Sequence, residues 1–242
     1  RAQNNTVQEA NYFAQIYRDT VGLPEPFRSQ FLEANANYID AVIKYEWPQM
    51  QRGLRSAEAQ AAADKVWVIP PCAEIVRPVQ DLTGPLRFVF LGSDRQSQNR
   101  LTIGYLLSIW ESARPAAQLI IAGPMVRSWP AVENVTFTGW VENTSELYQA
   151  GTVMLTPSFV RGGIKTKVLA AFAHGCPAVG NDATFEGLPL NGYPFSFNTD
   201  EQLKEFLSDV PSHATALRDA AVLGQQCLSQ HFSRDGFDQA WR

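Results

Sequence analysis

Cysteine is scarce in this chain: there are three in 242 residues, Cys72, Cys176 and Cys227, far apart and with no Cys-x-x-Cys pair. That usage argues against a disulfide framework and a thiolate zinc site, and it favours a reducing compartment with three free thiols. Histidine is equally sparse, and none of His174, His213 and His231 reads as catalytic. His174 precedes a helix-stopping glycine and reads as a structural residue at a helix C-terminus. No apolar run approaches the roughly 18 residues of a membrane span, and no signal-peptide pattern opens the sequence. Positive charge is not in excess. Twenty Lys and Arg against 24 Asp and Glu give a net charge of −4, so there is no electrostatic case for a nucleic-acid partner. No G-x-G-x-x-G follows the first clear strand, which speaks against a nicotinamide site, and the Walker order of glycine, lysine and hydroxyl is missing. Repeats and low-complexity tracts are not evident either.

The composition that remains, 45% hydrophobic and 18% charged, is that of a globular protein able to bury a real core. The chain opens on Arg1 rather than methionine, and a fragment or trimmed portion of a longer protein is expected. Three Asn-x-Ser/Thr sequons, at Asn4, Asn134 and Asn143, are read as accidental.

Residues 1–66 read as a helical segment. In "FRSQFLEANANYIDAVIKYEW" the residues Phe27, Phe31, Leu32, Ile39, Val42, Ile43 and Trp47 recur at helical spacing, with Pro48 expected to end the run. "GLRSAEAQAAADK" is rich in strong helix formers. "VWVIPP" then reads as a short strand halted by Pro70 and Pro71, and "RPVQDLTGP" as a connector. From Leu86 to about residue 198, strand and helix patterns alternate. "LRFVFLG", "QLIIAG", "NVTFTGW", "TVMLTP" and "PAVG" read as strands. "LTIGYLLSIWESA" and "KTKVLAAFAHG" read as helices, and "ENTSELYQAG" as a helix opened by Asn143 with Glu146. "YPFSF" reads as an edge strand, followed by two further helices. The fold class is therefore α/β: a doubly wound, Rossmann-like parallel sheet with helices on both faces.

In such sheets ligands sit at the carboxyl ends of the strands, over helix N-termini. Two turns are built for this. In "LGSDRQSQNR", Gly92 and Ser93 follow the first strand, with Arg95 and Arg100 before the next helix. In "SFVRGGIKTK", Gly162 and Gly163 allow close approach to the backbone, and helix amides with a partial positive charge face outward. Arg161, Lys165 and Lys167 add full charges suited to phosphate. Lys167 is expected to matter less than Arg161 and Lys165, because it lies further along the helix.

The ordered blocks "VIPPCAE", "FVFLGS", "LIIAG", "NVTFTGWVENTSELYQAGTVMLTPS" and "GGIKTKVLAAFAHGCPAVGNDATFEGL" make residues 67–235 resemble the C-terminal, donor-binding half of a GT-B glycosyltransferase of the retaining, group-1 type. The resemblance implies a donor-binding domain over 67–242, with 1–66 as a remnant of the acceptor-side domain. It implies a nucleotide-diphosphate sugar as donor substrate, no metal and no resident cofactor. The acceptor is implied to be a saccharide or a lipid-linked sugar, in glycan or polysaccharide synthesis. The implied location is cytoplasmic, with peripheral association at the inner membrane face as one option. It also implies that the turn from Arg161 to Lys167 meets the diphosphate and sugar, that Trp140 lies near the base, and that Gly92 and the arginines after it flank the diphosphate. The family commonly has two glutamates eight residues apart in this region, and Gly162 and Ala170 stand at those positions. A subset with "GxGIKxK" replaces the first by lysine but keeps the second, so Ala170 is a departure. Glu186, in "FEGL", is the other acidic candidate. A non-catalytic module descended from such enzymes is the alternative reading; a sugar-nucleotide epimerase would need acid–base residues that are not found.

Overall fold

The apolar run Arg87–Leu91 is β1, the central strand of a five-stranded sheet. β2 (Gln118–Ala122), β3 (Val135–Gly139), β4 (Thr152–Leu155) and β5 (Ala178–Val179) complete it in the order β3-β2-β1-β4-β5. Every pairing is parallel, with Phe88 opposite Leu119 on one side and Val153 on the other. The computed structural model describes residues 25, 27–50, 52, 56–58, 61, 71–160, 163–190 and 192–240. They fall in two compact units, Arg1–Ile69 and Pro70–Arg242.

In the first unit, α1 (Phe27–Ala41) continues through a π-helical turn, Val42–Glu46, into a last helical turn, Trp47–Met50. The helix thus runs past Pro48, which was expected to end it. The wider turn gives the reason: the Trp47 amide reaches back five residues to the Val42 carbonyl, so the ladder is already reset where proline brings no donor. Most of the helix read over 53–65 and all but the last residue of the strand read over 66–71 lie outside the described residues.

In the second unit the strand patterns translate into burial. β1 and β4 sit in the middle, and Phe88, Val89, Phe90, Val153, Met154 and Leu155 are all buried, as expected for parallel strands covered on both faces. β3, at the edge, alternates half-buried Val135 and Phe137 with exposed Thr136 and Thr138. Alternation along β1 sends Phe88 to Trp110 and Phe206, edge to face at 5.7 and 6.0 Å, while Val89 joins Ala122 and Leu147 in a separate cluster. The flanking helices are α2 (Ser97–Ala113), α3 (Thr166–Ala173), α4 (Asp200–Ser208), α5 (Ala214–His231) and α6 (Arg234–Ala240). α2 packs with α4, and α3 with α5.

Two elements differ from the sequence reading. "ENTSELYQAG" forms only a 3₁₀ turn, Thr144–Leu147, because Asn143 Oδ1 caps the Ser145 amide and the segment returns to the sheet at Thr152 too soon for an α-helix. "YPFSF" contributes a single bridge, Gly180 to Ser196, rather than a strand. Pro194 has no amide to extend a ladder, and Tyr193 and Phe195 are committed to the core.

The cysteines are free, with Cys72 exposed and Cys176 and Cys227 buried. Burial pushes the Cys176 thiol up to about 12, against smaller lowering by Arg77 and Arg87, and raises Cys227. Thiolate is the reactive form. A disulfide-exchange reagent at neutral pH should therefore titrate one thiol rapidly in the native protein and three after denaturation. Fewer than three would mean a bridge.

Candidate functional site

β1 and β4 are neighbours, yet the chain leaves them toward opposite edges of the sheet, β1 to β2 and β4 to β5. A crevice opens at such a switch point, outside the carboxyl ends of the strands. Here it lies between the loop 92–96 and the turn leading into α3.

The β1 loop is held by polar groups turned inward. Asp94 is fully buried. Its carboxylate accepts the amides of Val126 (2.7 Å) and Arg127 (3.0 Å) and the Trp129 indole N–H (3.2 Å). Burial alone would raise this carboxyl; those donors outweigh it and hold it below the usual carboxylate value. Ser93 Oγ donates to the Pro124 carbonyl at 2.8 Å. Arg100 Nη1 donates to the carbonyls of Asp94 (2.9 Å) and Arg95 (3.0 Å), so this arginine staples its own loop. Arg95 is exposed. Gly92 has a steric reason: a Cβ there would lie 2.8 Å from Cγ of Asn99, a buried residue in the first turn of α2.

Across the crevice, Gly163 has φ +77°, with no atom within 4 Å of an added Cβ. Its backbone faces open space. Lys165 is the N-cap of α3. Its ammonium donates to the Gly163 carbonyl at 2.7 Å and lies 4.0 Å from the Glu186 carboxylate. Lys167 turns the other way. Its ammonium sits 4.4 Å from the centroid of the Phe90 ring on β1 and 3.4 Å from Asn99 Oδ1 on α2. Desolvation, with repulsion from Lys165 as the lesser cause, lowers its pKa to about 8. Lys165 is thus engaged locally, while Lys167 is the cation directed to the carboxyl end of the central strand. Arg161 and Gly162 lie outside the described residues.

Trp140 directly follows β3, with 76% of its surface exposed. β3 lies two strands from β1, roughly 10 Å along the sheet. The tryptophan is therefore on the same rim but apart from the lysines. Ala170, where the resemblance expects a carboxylate, is half-buried against the core. The structure thus brings together Gly92, Gly163, Lys165, Lys167 and Glu186 around one crevice, leaves Trp140 at its distance, and uses Ser93 and Arg100 to shape a loop.

Sequence reasoning missed Asp94, Asn99 and Asn181. Asn181 Oδ1 accepts the amides of Ser158 and Thr184, both at 3.1 Å, and its Nδ2 donates to the Ser158 carbonyl at 2.9 Å, fixing the start of the turn after β4. For Asn99 there was a signal. It shares the apolar stripe of α2 with Thr102, Ile103, Leu106 and Trp110, all buried, and an amide on such a stripe needs a partner. Among the described residues no group of three or more His, Cys, Asp or Glu side chains could hold a metal ion, and no helix is long and apolar enough to cross a membrane.

A family model described as glycosyl transferases group 1 matches residues 85–208, and one described as a bestrophin-like domain matches residues 1–70. No curated protein matches the chain. Among solved structures, it is similar to a variant of S. aureus TarM in complex with fondaparinux, alpha-GlcNAc-glycerol and UDP. That match has 11% identity and a TM-score of 0.56, covering 78% of this chain and 42% of that one. It is similar also to sucrose-phosphate synthase from Thermosynechococcus elongatus, at 16% identity and a TM-score of 0.54, covering 71% and 50%. A third is WaaG, a glycosyltransferase involved in lipopolysaccharide biosynthesis, at 16% identity and a TM-score of 0.50, covering 77% and 59%. At such identities the likeness is one of fold, and this chain spans between 42% and 59% of these relatives' lengths.

Proposed function

Since the chain belongs to the glycosyl transferases of group 1, we propose that its crevice binds a nucleoside-diphosphate sugar and that the protein transfers the sugar to a saccharide or lipid-linked acceptor. The carrying observation is Lys167: an ammonium desolvated at the carboxyl end of β1, its contacts among the described residues being a neutral amide and a ring face. A charge placed so is costly unless an anion completes it. The diphosphate supplies that anion. Arg161, Gly162, Gly163 and Lys165 receive it from the turn, with the amides at the start of α3. Gly92, Ser93, Arg95 and Arg100 flank it from the β1 loop, Trp140 offers a face to the base, and Glu186 holds Lys165 in place. As the glycosidic bond breaks, negative charge grows on the leaving diphosphate, and preorganised cations and amides stabilise it with no metal or resident cofactor.

Supporting the donor class, relatives of the same fold include TarM in complex with UDP and HepE of Anabaena in complex with UDP and glucose. With UDP, GDP or ADP at millimolar concentration, hydrogen exchange should slow at the amides of residues 163–168 and 92–96. Protection by none of the three overturns the donor-site reading. Ala170 favours a second reading, in which the domain binds the nucleotide without transferring sugar. Nucleotide protection with no diphosphate released from any sugar donor, across a panel of acceptors, would establish that second reading.

A further inference from the structure

Asn99 is 9% exposed, on a helix stripe otherwise made of apolar side chains and Thr102. Its amide is used at both ends. Nδ2 donates to the Ser93 carbonyl at 3.0 Å and to Gln96 Oε1 at 3.1 Å, while Oδ1 accepts from Lys167 Nζ at 3.4 Å. One side chain therefore ties the loop after β1 to a residue of α3, across the switch point. Gly92 is shaped around it, since a Cβ at 92 would collide with the amide. We propose that Asn99 is a positioning residue for Lys167: a neutral acceptor that holds the ammonium in the crevice without a counter-charge, leaving it available to a phosphate. This deepens the donor-site reading above and rests on it.

The neutrality of the acceptor is the point. An aspartate there would pair with the ammonium and repel the phosphate. The surrounding charges leave the balance to Asn99. Lys165, on the turn before α3, repels Lys167. Glu186, after β5, is drawn to Lys165. Asp94, on the β1 loop, turns its carboxylate onto the Val126 and Arg127 amides, and Arg100 on α2 turns to carbonyls. Lys167, with its pKa near 8, then loses its proton as pH rises past that value, and a bound phosphate restores it.

Two measurements test this, one of which needs no nucleotide. In the ligand-free protein, Lys167 is titrated through its side-chain NMR signals, in wild type and in Asn99→Asp. The midpoint should move upward in the variant, because a carboxylate stabilises the ammonium. Separately, UDP, GDP and ADP affinities are followed by calorimetry from about pH 6.5 to about pH 9.5, the range that brackets the lysine. Wild type should bind with constant affinity up to about pH 8 and then weaken, by up to about tenfold per pH unit while the proton must be taken up. Asn99→Asp should bind roughly 10- to 150-fold more weakly at pH 7, the size of one lost charge-assisted contact, with its decline displaced to higher pH. Asn99→Ala, which adds no charge, should weaken binding at pH 7 by about tenfold, and it carries the test if the aspartate variant does not fold. An unmoved Lys167 midpoint in Asn99→Asp, or wild-type affinity in a folded Asn99→Ala, overturns the positioning role and leaves the donor site standing. Failure of wild type to bind all three nucleotides overturns the donor site and this role with it.

Discussion

Replacing Lys167 by methionine should raise the stability of the protein and weaken its affinity for a nucleoside diphosphate. The two effects have one cause. The ammonium is held over the Phe90 ring, desolvated and repelled by Lys165, so folding lowers its pKa from 10.5 to about 8. The unfolded chain therefore binds this proton more tightly than the native one. Between about pH 8 and pH 10.5 the unfolded state holds a proton that the native state has released, so stability rises with pH across that window. Below it, both states are protonated and the cost of the buried charge stays constant. At about 1.4 kcal/mol for each pH unit of that difference, the cost is on the order of 3 kcal/mol near pH 7, which methionine of similar length avoids. For a domain of this size that is an increase in Tm of roughly 6–12 °C, and the rise of stability above pH 8 should disappear. Binding should fall roughly 10- to 150-fold, the value of a well-placed charged hydrogen bond. Calorimetric unfolding at pH 7 and pH 9.5, with nucleotide titration of the same preparations, reads both. A variant less stable than wild type would show that the ammonium has a partner that stabilises it.

Gly175→Ala should be the most damaging single-methyl change outside the crevice. α3 ends in a Schellman motif: the Gly175 amide bonds the Phe172 carbonyl and the Cys176 amide the Ala171 carbonyl, both at 2.9 Å, with Gly175 at φ +71°. A side chain in this left-handed conformation costs about 1–2 kcal/mol. Here there is also no room. A Cβ would run into the Pro78 carbonyl oxygen and stand 2.8 Å from Val79 Cα, backbone atoms of the segment that crosses the helix end. That segment is itself fixed to the motif, the Gln80 amide donating to the Gly175 carbonyl at 2.9 Å. Overpacking adds about 1–3 kcal/mol, for a total near 4 kcal/mol and a loss of roughly 8–16 °C in Tm. Gly192 is the control, with the same φ of +71° and nothing within 4 Å of its Cβ. Gly192→Ala should cost the conformational part alone. Equal losses at the two positions would show that the Pro78–Val79 segment yields freely.

The parallel sheet and its flanking helices were legible in the sequence because their signals are local. Apolar runs such as Arg87–Leu91 and Thr152–Leu155, short and bounded by glycine, read as strands covered on both faces, and Gly175 marks the end of α3 by its backbone freedom alone. The carboxyl-end turns at 92–96 and 163–167 were legible for the same reason, glycine and cation being placed where an α/β sheet opens. Local signals failed where a segment's fate depends on what it meets. "ENTSELYQAG" had a helix start but no room for a helix before Thr152, and Pro48 was carried inside a helix by a π turn upstream. The directions taken by the two lysines are of the same kind. Lys165 and Lys167 are two residues apart, so their side chains leave the backbone in nearly opposite directions, and nothing nearby in the sequence says which faces the crevice. That was decided by Phe90 and Asn99, some 70 residues earlier, which the sheet brings beneath α3. Arg100 likewise turns its Nη1 to the carbonyls of Asp94 and Arg95, a use that the sequence reading did not anticipate. The sequence by itself determined the five strands, most of the flanking helices, their order and the pair of turns. The tertiary structure alone decided which ammonium is desolvated with no carboxylate beside it among the described residues, because desolvation and long-range contact are properties of a packed chain rather than of a segment.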